Sequence, residues 1–415
     1  ARASARLNPE AYQRGPLSRE DVLAARKVSD PLTVRDCCLV TDGAGAFVLM
    51  RADRARDRPK PPVHVLGNAT AVWNRQISSM PDLTTTAAKA SGERAFAMAG
   101  LSSENVDPAR VAVIIGNGGA GLTTLDEQYR RLFGDKQNRL HPLSVAKSMS
   151  SSSASWVSIA TGMRGPTFVI ASACASGAHA IGIAAELIRS GLADVAIAGG
   201  AEAPLAEGTM RAWESMRILA PDRCRPFGQA RQGLTLGEGA GIVILESDTH
   251  ARGRGAEVHA YLTGFSCSAD AGDMFNPVRE GMAQVMRDAI KKAGLAPSDI
   301  GYINAHGTAT VANDVTETLA VKDVYGRETA PPISSTKCVT GHGLGAAGGV
   351  EAVISVLALR NGVIPPTANF DVADPECDLD YVPNTKRKAS LKAVQSNSFA
   401  FGGLNASLVF TSPAA

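Results

Sequence analysis

Two stretches of this chain, "DGAGAFVLMRADRARDR" at 42–58 and "EGAGIVILESDTHARGR" at 238–254, spell nearly the same pattern about 195 residues apart. The match continues in order. "VHVLG" (63–67) answers "VHAYL" (258–262), and helices ending "AFAMAGL" (95–101) and "AIKKAGL" (289–295) follow. Chance similarity of glycine-rich strands would not preserve the order strand, strand, helix. The pattern predicts duplication of a whole half-domain. A chain of 415 residues is also longer than one hydrophobic core usually serves.

Between the repeats the pattern is βαβα. Apolar runs predict strands at 63–71, 111–116, 168–173, 195–199, 241–246, 259–264, 300–305, 333–337, 395–399 and 407–410. The sequence predicts helices at 87–99, 178–190, 281–293 and 348–360, with Gly191 and Asn361-Gly362 as stops. "SREDVLAARKV" (18–28) reads as a short helix and "RPKPP" (58–62) as a linker. Strands separated by such helices imply parallel sheets covered on both faces. The chain is 45% hydrophobic but only 5% aromatic, rich in the Ala and Gly that close backbone packing needs. A net charge of +2 gives no reason to expect nucleic-acid binding. No uninterrupted apolar run of membrane length and no signal-peptide layout stand out, so a soluble cytoplasmic protein is expected. Seven cysteines without regular spacing argue against a disulfide framework, and most are expected to be small core residues.

One cysteine is different. In "FVIASACASGAHAIG" (168–182), Cys174 sits where a strand ends and a helix begins. Free N–H groups and the helix dipole favour a thiolate there. Packing, metal ligation and nucleophilic attack are all open on this stretch alone. His306 in "YINAHGTATVAND" and His342 in "SSTKCVTGHGLGAAGG" each follow a strand, and Lys337 lies five residues before His342. Residues after strand C-termini gather on one rim of a parallel sheet. Zinc is the competing reading, but no C-x-x-C or H-x-x-H pair supports it. A thiol with two imidazoles suits carbon–carbon bond formation on thioesters. "GNGGAG" (116–121) and "GLGAAG" (343–348) imitate dinucleotide loops, yet neither is followed by the strand-end acid that such sites use. They read as tight turns at the active rim.

From about 108 to 415 the chain resembles β-ketoacyl-[acyl-carrier-protein] synthases of the elongating, KAS II type. The motifs occur in family order: "SACASGAHAIG", "GGAEAPL", "LGEGAGIVILE", "INAHGTATVANDVTE", "SSTKCVTGHGLGAAGGVEA" and "NSFAFGGLNASL". The resemblance implies an α/β thiolase-like fold: duplicated halves, each with a mixed five-stranded sheet, in α-β-α-β-α layers. It implies Cys174 as nucleophile, His306 and His342 as the decarboxylation pair, Lys337 as their support and Glu351 as its acidic partner. Thr308 and Thr310 would contact the pantetheine arm. Phe401 would be the acyl gate, with Gly402 beside it at the substrate, and the N–H groups of Cys174 and Phe401 would form the oxyanion hole. Ala400 and Ala309 stand where many members have Gly. The "INAHGTAT…ND" form is closest to nodulation-type or polyene-type ketosynthases.

The implied reaction is decarboxylative Claisen condensation of a Cys-bound acyl group with malonyl carrier protein, in fatty-acid or polyketide-type elongation. No cofactor is expected beyond the phosphopantetheine on acyl carrier protein. That carrier and a second copy of the chain, as a homodimer, are the expected partners. Arg130, Arg131, Lys136, Arg139 and "TKRKAS" (385–390) are candidates for a basic carrier-docking surface. Residues 1–107 instead resemble the middle of a thiolase of the lipid-transfer-protein-like type. This divides the chain into an extension at 1–55, an N-terminal half at 56–250 and a C-terminal half at 251–415. It also leaves 73–86 shorter than the usual ketosynthase insertion. The rivals are a thiolase or acetyl-CoA acetyltransferase, a non-catalytic chain-length-factor-like subunit, and a chimera-like chain of little activity.

Overall fold

Apolar β-branched runs with no polar face must be covered on both sides. Val111–Gly116 (VAVIIG) and Val195–Glu202 (VAIAGGAE) are such runs, buried at every position, and they form the centre of one sheet. The computed structural model describes residues 27–29, 32–33 and 82–413. The chain divides into two units, 1–62 and 63–415. In the first, β1 (Lys27–Ser29) pairs antiparallel with β2 (Leu32–Thr33). This corrects the expected helix at its last residues: the Asp30-Pro31 step favours a turn, and the flanking residues pair. The remaining predictions for 1–81, including the strand at 63–71 and the placement of 1–55, lie outside the described residues.

In the second unit β3 (Val111–Gly116), β4 (Thr167–Ile170), β5 (Val195–Glu202) and β6 (Gly239–Glu246) form a sheet of order β4-β3-β5-β6. Among the described residues it has four strands, one fewer than expected. A second sheet is built from β7 (Tyr261–Ala269), β8 (Ile300–Asn304), β9 (Ile333–Ser334), β12 (Ala393–Ala400) and β13 (Leu404–Thr411), ordered β7-β13-β12-β8-β9. β10 (Val363–Ile364) and β11 (Arg387–Lys388) make a small separate pair. Both large sheets are mixed rather than purely parallel. β6 runs antiparallel to β5, and β13 antiparallel to β12 and β7.

Helices α1 (Leu83–Met98) and α2 (Ser152–Thr161) cover the outer face of the first sheet. α3 (Ser176–Arg189) and α7 (Ala347–Asn361) lie between the two sheets, and α5 (Arg279–Lys292) with α6 (Val311–Tyr325) covers the outside of the second. α4 (Glu207–Ser215) lies at the mouth of the site. The result is the α-β-α-β-α layering of the thiolase-like fold.

The middle layer explains the glycine and alanine content. A Cβ on Gly177 would stand 2.7 Å from the Gly349 nitrogen and 2.9 Å from the Gly345 oxygen. On Gly349 it would meet the Gly241 oxygen at 2.3 Å and the Gly200 nitrogen at 2.5 Å. Backbones touch here, so no side chain fits. Leu344–Asn361, where the sequence predicts a helix but no apolar stretch of membrane length, has a mean hydropathy of 1.2 over 18 residues, long and apolar enough to cross a membrane. It is the inner helix of the middle layer, 61% buried in the protein, and it carries Glu351. Among the described residues the cysteines 174, 224, 267, 338 and 377 are free. Cys174, Cys224 and Cys377 are buried as most were expected to be, Cys338 is half-buried, and Cys267 is exposed on the edge strand β7.

Gly349→Ala should lower unfolding free energy by about 1–3 kcal/mol in denaturant titration, the usual cost of overpacking. Gly253→Ala, where an added methyl meets nothing within 4 Å, should leave it unchanged or higher.

Candidate active site

The ends of parallel strands supply the reactive groups. Chain leaving β4 turns through the short helix Ala173–Ala175 into α3, and Cys174 sits in that turn. Ala173 takes a left-handed φ of 47°, a strained elbow that turns the backbone sharply before the helix. His306 follows β8, Lys337 and His342 follow β9, and Phe401 follows β12. Cys174, His306, His342 and Phe401 face one pocket, lined also by Trp213, Met274, Phe275, Thr308, Thr310 and Phe399, while Lys337 lies behind His306.

His342 Nε2 lies 3.0 Å from the Cys174 sulfur. The His306 and His342 rings stand edge to face with centroids 5.4 Å apart. Lys337 Nζ donates to the His306 carbonyl oxygen at 2.6 Å, lies 3.4 Å from His306 Nδ1, and is in direct contact with the Glu351 carboxylate. The Thr308 and Thr310 hydroxyls hydrogen-bond each other at 2.8 Å. Cys174, His306, His342, Thr308, Thr310 and Phe401 are on the pocket wall, Lys337 and Gly402 are bonded to wall residues, and Glu351 stands one step further back on Lys337.

Electrostatics follow from burial and from Lys337. Burial, then the Lys337 charge, holds both His306 and His342 well below the ordinary imidazole range, so both rings are neutral. Burial pushes the Cys174 thiol up to about 12, while Lys337 and the N–H groups of Phe401 and Cys174 pull it down. This reverses the expectation of a resting thiolate. The helix end does favour the anion, but desolvation at 7% exposure outweighs it. Burial raises Glu351 toward about 7, against the pull of Lys337. The donor atoms of Cys174, His306 and His342 lie within 4.8 Å of one another and could hold a metal ion. The Lys337 ammonium beside His306 makes that position electrostatically poor for a cation.

Several supporting groups had no role assigned from sequence. Glu317 accepts the N–H groups of His306 and Gly307, both at 2.8 Å, and so fixes the histidine loop. Asp314 accepts from Phe227 at 2.7 Å and Ala309 at 3.2 Å, with Arg231 buried beside it. The three-residue spacing of Asp314 and Glu317 puts both on one face of α6, the only sequence signal for them. Ala309 holds a left-handed φ of 65°, which gives a physical reason for glycine at that position. The two glycine loops are occupied from within. Gly118, Gly119 and Gly345 all donate N–H groups to the buried Glu202 carboxylate. Of the basic candidates, Arg130 pairs with Asp126 and Glu207, Arg131 with Glu127, and Arg387 with Asp380. Lys136 and Arg139 have no ion-pair partner among the described residues.

Comparison with known proteins gives the same direction. The family model described as Beta-ketoacyl synthase, N-terminal domain, matches residues 71–251, and that for the C-terminal domain matches 259–371. Nodulation protein E of Rhizobium sp. (strain N33) is 45% identical over 387 residues, 90% of this chain and 96% of that protein. A 3-oxoacyl-[acyl-carrier-protein] synthase 2 from Vibrio harveyi is 38% identical over 353 residues, 83% of this chain and 85% of that protein. A solved type II PKS acyl-carrier protein in complex with its ketosynthase bound to the hexaketide superposes with a TM-score of 0.75 at 33% identity, covering 79% of this chain and 84% of that one.

With its thiol near 12, Cys174 should be alkylated by iodoacetamide at a rate that climbs steadily with pH between about 7 and 9, following the thiolate fraction. Peptide mass spectrometry across that range checks this. A plateau below about pH 8 would show a thiolate stabilised beyond what burial allows.

Proposed function

Because the chain belongs to the β-ketoacyl synthase family of condensing acyltransferases, we propose that it acts as a 3-oxoacyl-[acyl-carrier-protein] synthase. It would join a Cys174-bound acyl group to a malonyl unit on acyl carrier protein. The observation that carries this reading is the sulfur at 3.0 Å from His342 Nε2, with neutral His306 beside it and Lys337 behind.

In the first half-reaction the Cys174 sulfur attacks the acyl thioester. Its proton passes by way of His342 to the departing carrier sulfur, so one thioester replaces another. The N–H groups of Cys174 and Phe401, which are directed at the sulfur, would stabilise the oxyanion that forms beside it. In the second, the malonyl thioester loses CO2 and negative charge collects on its thioester oxygen. His306 and His342 donate N–H groups to that oxygen. The carbanion attacks the acyl carbon, the C–S bond to Cys174 breaks, and the sulfur regains a proton from solvent. His342 serves first as acceptor and then as donor. Its Nδ1 is buried with no hydrogen-bond partner among the described residues, so nothing pins one tautomer. Burial, reinforced by the Lys337 charge, keeps both rings neutral, and no metal or redox cofactor is needed for these steps.

Thr308 and Thr310 on the pocket wall suit contact with a pantetheine arm, and Lys136 and Arg139 suit an acidic carrier. The edge strand β4 carries exposed Phe168, 40% accessible, beside α2 with exposed Ile159, which favours a homodimer joined along that edge. The activity suits the cytoplasm, where carrier-bound thioesters are made. Among the described residues Cys174 is the only cysteine on the pocket wall, which disfavours a thiolase that needs a second one. A chain-length-factor role is disfavoured by the nucleophile itself.

Intact mass after incubation with acyl carrier protein thioesters should show one acyl group on the wild type and none on Cys174→Ala. His306→Ala should load normally and lose CO2 release from malonyl carrier protein by about 100- to 1000-fold. His342→Ala should slow both steps. Full condensation by Cys174→Ala would sink the assignment.

A further inference from the structure

The Phe401 ring is held between two aromatic side chains. Trp213, from α4, stacks on it at 6.0 Å and 22°, and Phe275 meets it edge-on at 5.4 Å and 83°. The two jaws come from opposite halves of the fold. The backbone beside the ring is tied to the same loop as Phe275. Gly402 N–H donates to the Met274 oxygen at 2.8 Å, and Asp270 N–H donates to the Gly403 oxygen at 3.0 Å. Gly402 and Gly403 hold φ of 80° and 68°, a conformation open to glycine, so the segment has the freedom to swing when those ties break. The Phe401 N–H reaches the Cys174 sulfur, so the ring and the nucleophile are joined through one residue.

We propose that Trp213 and Phe275 determine which acyl chains reach Cys174, by clamping Phe401 in the closed position. This rests on the reading of Cys174 as the acyl acceptor. On this proposal a small reagent passes the closed ring without moving it. A long acyl chain must displace the ring, and displacement breaks both aromatic contacts at once. Phe275, at 58% exposed, and Met274, at 60%, stand at the mouth with apolar surface in water, ready to follow the ring outward. The clamp therefore sets a threshold that rises with chain length. It also returns the Phe401 N–H to the sulfur once the chain has passed. Trp213 and Phe275 are positioning residues, acting on the reaction only through Phe401.

The test compares two alkylating probes with the same reactive end, iodoacetamide and its N-dodecyl derivative, on the full chain. The rate of labelling of the peptide carrying Cys174 is measured for each, and the ratio of long to short is the readout. In Trp213→Ala and in Phe275→Ala the ratio should rise about three- to tenfold, the worth of one lost aromatic contact. Trp213→Phe, which keeps a stacking face, should stay near wild type. General loosening would change both rates together and leave the ratio alone. Phe275 lies in an exposed loop, so its variant remains informative if Trp213→Ala fails to fold. An unchanged or lower ratio in Phe275→Ala, or a rise in Trp213→Phe equal to that in Trp213→Ala, overturns the clamp. A wild type that alkylates as expected but takes no acyl group from carrier protein would instead overturn the proposed function.

Discussion

The Lys337 ammonium touches Glu351, the His306 carbonyl oxygen and the His306 ring, and it is shut off from water. A lone buried ammonium is costly, and Glu351 offsets that cost. What remains of its field falls on His306, His342 and Cys174, and each responds by chemistry. Two imidazoles stay neutral and keep the N–H groups that an enolate needs. The sulfur feels a pull toward the anion that opposes its burial. Removing Lys337 would leave a buried carboxyl without its counter-ion and would relax, without removing, the hold that burial keeps on the two neutral imidazoles.

That arrangement depends on packing some distance from the chemistry. Glu351 comes from α7, and α7 reaches its place only because Gly348 and Gly349 let its first turn press against α3, β5 and β6. Cys174 sits at the start of α3, the other inner helix. The two helices lie between the sheets, so nucleophile and acid partner are positioned by one glycine-lined contact. The scarcity of aromatic residues is the compositional trace of this layer.

Much of this was legible before any coordinates. Cys174, His306, Lys337 and His342 each follow a strand, and strand ends in a parallel arrangement share a rim. What was hidden has particular causes. α6 was missed as a helix because the first half of its buried face is polar, built from Asn313, Asp314, Glu317 and Thr318, and only Ala320, Val321 and Tyr325 follow, too few for a hydrophobic period to show. Glu202 reads as the polar end of a strand, and only the fold brings the glycine loops at 116–121 and 343–348 onto its carboxylate. Arg231 reaches Asp374 across 143 residues of sequence, a separation that no local pattern encodes. Trp213 and Phe275 are isolated aromatics in polar stretches, and nothing in their spacing points to Phe401. The resting state of the sulfur was misjudged because helix-end position is visible in a sequence and depth below the surface is not.

That depth has a bearing on survival in an oxidising cell. Peroxide attacks the sulfur anion, and a thiol whose titration burial has pushed this far up exposes very little of it at neutral pH. Between turnovers Cys174 is therefore expected to be a poor target for conversion to sulfenic acid, even though it is the group on which every round of synthesis depends.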